Sequence, residues 1–133
     1  MFDLVKQWLG PNFGNWDEAT INTWAGRLRN EEDAEIYLIE ALKDQKEAMF
    51  PGYAREADFN TIAQPWRSYA TSIWGFTPQD DDEALQQVIV ANDADSAAQT
   101  FRTVGLERGY DRVVNDIDQS LRQGMKANVR GAV

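Results

Sequence analysis

The chain has 133 residues, of which 43% are hydrophobic, 26% charged and 11% aromatic, including five Trp, a balance that belongs to a folded globular protein and excludes general disorder. It contains neither Cys nor His, which excludes disulfides, thiolate nucleophiles, Cys-based zinc or iron–sulfur sites and every Ser–His or Cys–His device. The net charge of −9, with six basic and twelve acidic residues in 1–66 and seven basic and ten acidic in 67–133, excludes general nucleic-acid binding through a basic face.

Phe2 to Leu9 reads as a first helix with Phe2, Val5 and Leu9 on one side, stopped by Gly10-Pro11. Asn15 or Asp17 caps a second helix, in which Ile21, Trp24, Ala25 and Leu28 share a face. Asn30 is read as the cap of the third, with Glu31, Glu32 and Asp33 at its positive end. Its apolar stripe is Ala34, Tyr37, Leu38, Ala41, Leu42, Gln45, Ala48 and Met49, and Glu35, Glu40, Lys43 and Glu47 fill the opposite side. Pro51-Gly52 ends it. Asp58 caps a fourth segment carrying Phe59, Ile62, Trp66, Tyr69 and Ile73. Pro65 lies inside that segment, so it is either kinked or made of two pieces, and two pieces is the preferred reading.

Thr77-Pro78-Gln79-Asp80 has the form of a helix start, with Thr as cap and Pro at the first position, and the helix that follows buries Leu85, Val88 and Ile89. The β-branched run Val88-Ile89-Val90 has no second run to pair with, so helix is preferred to strand there. Asp93 or Asp95 opens a sixth helix with Ala97, Phe101 and Val104, ended by Gly105. The seventh, about Glu107 to Arg122, carries Tyr110, Val113, Val114, Ile117 and Leu121. The expected fold is all-α: a compact orthogonal or bundle-like domain of six to seven short helices over residues 1–123. Leu38, Leu42, Trp66, Val88, Phe101, Val114 and Ile117 are its expected buried centre. Gly124 is read as releasing a basic tail, 124–133, which carries Lys126 and Arg130 beyond Arg122, is extended or poorly ordered in the isolated subunit, and suits attachment to the acidic run Asp80 to Glu83 of a neighbouring copy.

No motif for catalysis or a cofactor is present. The run Asp80-Asp81-Asp82-Glu83 lacks the alternation, the Gly and the distal Glu of a calcium loop and is read as complementing a helix dipole. Carboxylates such as Glu56, Asp58 and Asp116 show no spacing that pairs them for acid–base work. The expectation is therefore a non-enzymatic chain with no cofactor and no metal. Trp24 and Trp66 fall in step with apolar neighbours and read as core, whereas Trp16 and Trp74 stand at helix boundaries beside Asn or Gly and read as partner-facing. The candidate partner-binding residues are thus Trp16, Trp74, Asp80, Asp81, Asp82, Arg122, Lys126 and Arg130.

The strings Trp16-Asp17 to Trp24, Met49-Phe50-Pro51-Gly52-Tyr53, Ile62-Ala63-Gln64-Pro65-Trp66-Arg67 to Trp74-Gly75, and Gly105-Leu106-Glu107-Arg108-Gly109-Tyr110 resemble small helical virion proteins of tailed bacteriophages, above all their internal, ejection or tail-associated structural proteins. The resemblance is one of texture over most of the chain, and no functional residue is carried over from it. It implies a subunit that assembles with copies of itself or with neighbouring virion proteins, made in the host cytoplasm and located in the virion. The apolar runs are far too short to span a bilayer, and no cationic segment precedes one near the start, so export by a signal peptide is not expected. The competing reading is a small acidic inhibitor or DNA mimic that occupies a basic groove on a host protein, against which the 13 interspersed basic residues count.

Overall fold

Four aspartates fix where four helices begin: Asp17, Asp58, Asp82 and Asp93 each accept a backbone N–H from the first turn that follows. The computed structural model describes residues 1–131, with side chains as far as Gly124. Among the described residues the chain is all-α, without strands: α1 (Phe2–Leu9), a 3-10 turn (Gly10–Asn15), α2 (Glu18–Asn30), α3 (Ala34–Met49), α4 (Phe59–Trp74), α5 (Glu83–Ala91), α6 (Ala94–Glu107) and α7 (Asp111–Gly131). No helix among them is long and apolar enough to cross a membrane.

The core has two parts. Val5, Trp8 and Leu9 of α1 meet Leu38 and Leu42 of α3, with Trp24 and Leu28 of α2 packed against them from outside. The larger part gathers Phe59, Ile62, Ala70 and Trp74 of α4, Leu85, Val88 and Ile89 of α5, Phe101 of α6 and Val113 of α7. Met49, at the end of α3, touches both, and α4 contacts α1, α5, α6 and α7 and so joins the two halves.

Several helix limits differ from the sequence reading, each for a local reason. Asn30 is the last residue of α2 and caps nothing, since the Glu31 N–H still bonds back to Arg27. α4 is one helix through Pro65, not two pieces. Thr61, Gln64 and Pro65 all lie on its exposed side, where the carbonyl that proline leaves without a donor is open to water. α5 starts at Asp82, not at Thr77: the Asp82 carboxylate takes both Ala84 N–H (2.9 Å) and Leu85 N–H (3.2 Å), while the Thr77 hydroxyl is turned to that of Thr71 (3.2 Å). α6 runs through Gly105 and is closed by Gly109, whose φ of 72° is left-handed and which leaves Tyr110 N–H bonded to Gly105 O at 2.8 Å. α7 continues through Gly124 to Gly131, so positions 124–131 are helical rather than extended. Gly costs a helix interior only about 1 kcal/mol, too little to stop one already anchored at its start. The part of the tail expectation that concerns Ala132 and Val133 lies outside the described residues.

The buried centre also differs in part. Leu38, Leu42, Val88 and Phe101 are enclosed as expected, Trp66 and Ile117 are half-buried, and Val114 is exposed because its neighbour Val113 takes the inward position. Tyr37 and Ala48 turn outward, so the inner stripe of α3 is Ala34, Leu38, Leu42 and Lys46, one residue every four. Gly105 is required by close approach: a Cβ there would stand 2.6 Å from Val113 Cγ2 and 2.9 Å from Trp74 Nε1. Gly105→Ala should therefore destabilise the chain by about 1–3 kcal/mol in denaturant titration, although alanine is the better helix former.

Candidate functional site

The most unusual chemistry in the fold is a buried cation. Lys46, on the inner stripe of α3, is fully enclosed, and its ammonium donates to the carbonyls of Ala54 (2.9 Å), Arg55 (2.8 Å) and Ala57 (2.6 Å). Burial pulls its pKa below the ordinary lysine value, yet three acceptors call for three donors, which only the ammonium has. The Trp8 ring centre is near both this group and Lys43, 5.6 and 5.4 Å from the two nitrogens. Lys43 in turn bonds Glu56 (2.7 Å), and Arg55 reaches Glu40, Asp44 and Glu47 on the outer side of α3. All donors of Lys46 are directed at main-chain oxygens of the loop between α3 and α4, an arrangement that ties down a loop and presents no lysine to a substrate. The sequence reading set Lys43 on the polar side of α3, where the structure instead buries it, and left Lys46 unplaced; the i, i+4 step from Leu38 and Leu42 was the signal that points Lys46 inward.

Lys46→Met should cost about 3 kcal/mol or more in denaturant titration, because three carbonyls lose their donor. Lys43→Met should cost much less than Lys46→Met in the same titration, since its partner Glu56 is largely solvated.

The helix caps share the acid sensitivity with Glu40, whose carboxyl the Arg55 guanidinium holds below its ordinary value. The Thr20 hydroxyl and N–H hold the Asp17 carboxyl below its ordinary value. At Asp58 burial pushes upward, but the Thr61 hydroxyl and N–H, together with Gln7, outweigh it and the net shift is downward. Both groups are thus more acidic folded than unfolded, so their contribution is complete above the unfolded value of 3.8 and is lost as pH falls through the lowered ones. With no His to titrate, the urea midpoint should be level from about pH 7 to about pH 5 and should fall below about pH 4.

The residues expected to face a partner are not brought together. Trp74 is buried, against the expectation: its indole N–H donates to Phe101 O (2.7 Å), and its ring packs on Phe76, Phe101 and Tyr110. The left-handed turn at Gly75 folds the chain back over it. Trp16 is half-buried and donates to the Gln45 side chain. Asp80 pairs with Arg67 (2.7 Å), Asp82 caps α5 and pairs with Arg108 (2.7 Å), and Asp81 is exposed. Two acids of the run are therefore engaged within the chain. Arg122 lies on α7 at 3.2 Å from Asp118. Lys126 and Arg130 occupy later turns of α7, and their side chains lie outside the described residues. Among the described residues no group of three acids converges as a metal site.

The surface with the clearest apolar character is on α7. Val113, Ile117 and Leu121 follow one another at four-residue steps on a single ridge, yet Val113 is 2% exposed, Ile117 is half-buried and Leu121 is 63% exposed. The helix thus leaves the body along its own apolar ridge. Where it diverges from α4 it opens a groove of about 580 Å³ walled by Tyr69, Ile73, Ile117 and Leu121, with Ser72, Ser120, Arg102 and Asp116 at its edges. The sequence placed Ile117 and Leu121 on a common face but could not show where the body ends beneath them. Comparison with known proteins finds no matching family model, no matching curated protein and no matching solved structure.

Proposed function

We propose that this chain is a non-enzymatic interaction subunit that assembles through the outer half of α7, and that it serves as a structural component of a bacteriophage virion. The graded burial of Val113, Ile117 and Leu121 along one ridge supports the first part: an amphipathic helix extends its apolar side beyond the core that explains it, next to an apolar-walled groove. The second part rests on the textural resemblance of the chain to small virion proteins. The polar groups with the strongest interactions, Lys46, Arg55 and Arg108, are all engaged in holding the fold, which leaves them no evident catalytic task. The alternative of an acidic inhibitor draws on the net charge of −9, but many of the acids are matched within the chain by Arg27, Lys43, Arg55, Arg67 and Arg108.

Leu121→Asp decides the matter by light scattering and denaturant titration together. The intact chain should associate; the variant should keep its stability to within about 0.5 kcal/mol, as a surface substitution does, and lose association. A loss of several kcal/mol would mean that Leu121 belongs to the fold and not to an interface. A strictly monomeric intact chain that binds a basic protein would favour the inhibitor reading.

A further inference from the structure

We propose that the face shared by α2 and α3, centred on Trp24, Arg27 and Tyr37, is a docking surface for a basic amphipathic helix of another protein, separate from the surface on α7.

α2 is covered on one side only, by α3. Among the α-helices it alone encloses no described residue completely: Ile21, Trp24, Ala25 and Leu28, which share its apolar face, are all half-buried. An amphipathic helix in that state has apolar surface to spare. The Arg27 guanidinium lies over the Trp24 ring at 4.4 Å and near the Tyr37 ring at 5.6 Å, so the two rings and the cation make one strip across both helices. Tyr37 is 54% exposed. Trp, Tyr and Arg are the residues that dominate protein interfaces, and rings already held by stacking lose little freedom when a partner arrives.

Charge selects the occupant. From Asp17 to Tyr37 there are six acids and two bases, a net of −4 in 21 residues against −9 for the whole chain. Glu31, one turn beyond Arg27, is paired with it. Asp33, one turn before Tyr37, stands at a helix start but, unlike Asp17, Asp58, Asp82 and Asp93, accepts no backbone N–H. With exposed Glu32 and Glu35 it makes no ion pair among the described residues. A partner that lays an apolar side chain on the rings and sets Lys or Arg beside these carboxylates fits both features. Nucleic acid and anionic lipid are repelled by the same acids, and a second copy, itself at −9, is the poorer match.

A synthetic helical peptide of leucine and lysine, with its leucines on one face, serves as the probe in calorimetric titration and amide-shift mapping of the full chain. Binding should move the amides of α2 and the first turns of α3. Tyr37→Ala should weaken it about tenfold or more, and so should Glu32→Lys/Asp33→Lys. Asp95→Lys/Glu107→Lys removes the same charge from α6 and should change binding by less than about threefold. Leu121→Asp should bind the peptide as the intact chain does, so failure here and failure of assembly through α7 are read separately. Circular dichroism should show that each variant is folded. Equal weakening by the two charge reversals, shifts gathered elsewhere, or no binding at all overturns the proposal. Loss of the chain's own association on Glu32→Lys/Asp33→Lys would hand the face to a second copy and overturn it as well.

Discussion

A lysine ammonium enclosed between two helices and a loop sets the frame on which the other contacts depend. The nine residues from Phe50 to Asp58 make no regular structure of their own, so their carbonyls must find donors elsewhere or remain in water. Lys46 supplies three donors from inside, and the loop closes over it. Met49, one helical turn on, is the residue shared by the two parts of the core. Fixing the loop that follows it therefore fixes the angle at which α4 departs, and α4 carries α1 on one side and α5, α6 and α7 on the other. An apolar residue at position 46 would pack well enough against Trp8 but would leave the turn without a reason to close.

A second constraint acts at the other end of α4. Trp74 fills the space between α6 and α7, with its ring edge to Phe101 and Tyr110 and its N–H on the Phe101 carbonyl. Such a large ring fits only because Gly105 removes a side chain from the facing turn of α6 and Val113 offers a small one from α7. Tyr53 plays a comparable part beneath α5, donating to Ile89 O and accepting from the Trp66 indole, both at 2.7 Å. Trp74, Tyr53 and Trp66 thus act as spacers with one polar end each, and all three ends are satisfied within the fold.

How much of this was legible depended on range. The Asp17, Asp58 and Asp93 caps, the helices they open and the all-α class follow from neighbours in sequence, and the chain displays them openly. The turn residues misled where two signals lay close together: Gly105 and Gly109 both suit a helix end, and only the packing of Trp74 shows that the first is needed for space and the second for a left-handed turn. Trp74 itself stands beside a glycine, which reads as exposure until the chain is seen to double back. Lys43 and Val114 were misplaced for the same reason in opposite senses: each helix face is defined by what packs on it from elsewhere, and the periodic pattern tolerates a rotation of one residue. Among the described residues none of the surface candidates lines the groove, because its walls come from the packing of α4 against α7 and not from any motif local in sequence.

The ridge on α7 also divides the helix into two parts. Every residue of the larger core cluster lies at or before Ile117, whereas Leu121, one turn further on, is 63% exposed. A chain cut after Ile117 would thus keep every member of that cluster, and the turns beyond it lengthen the domain without adding, among the described residues, to its core.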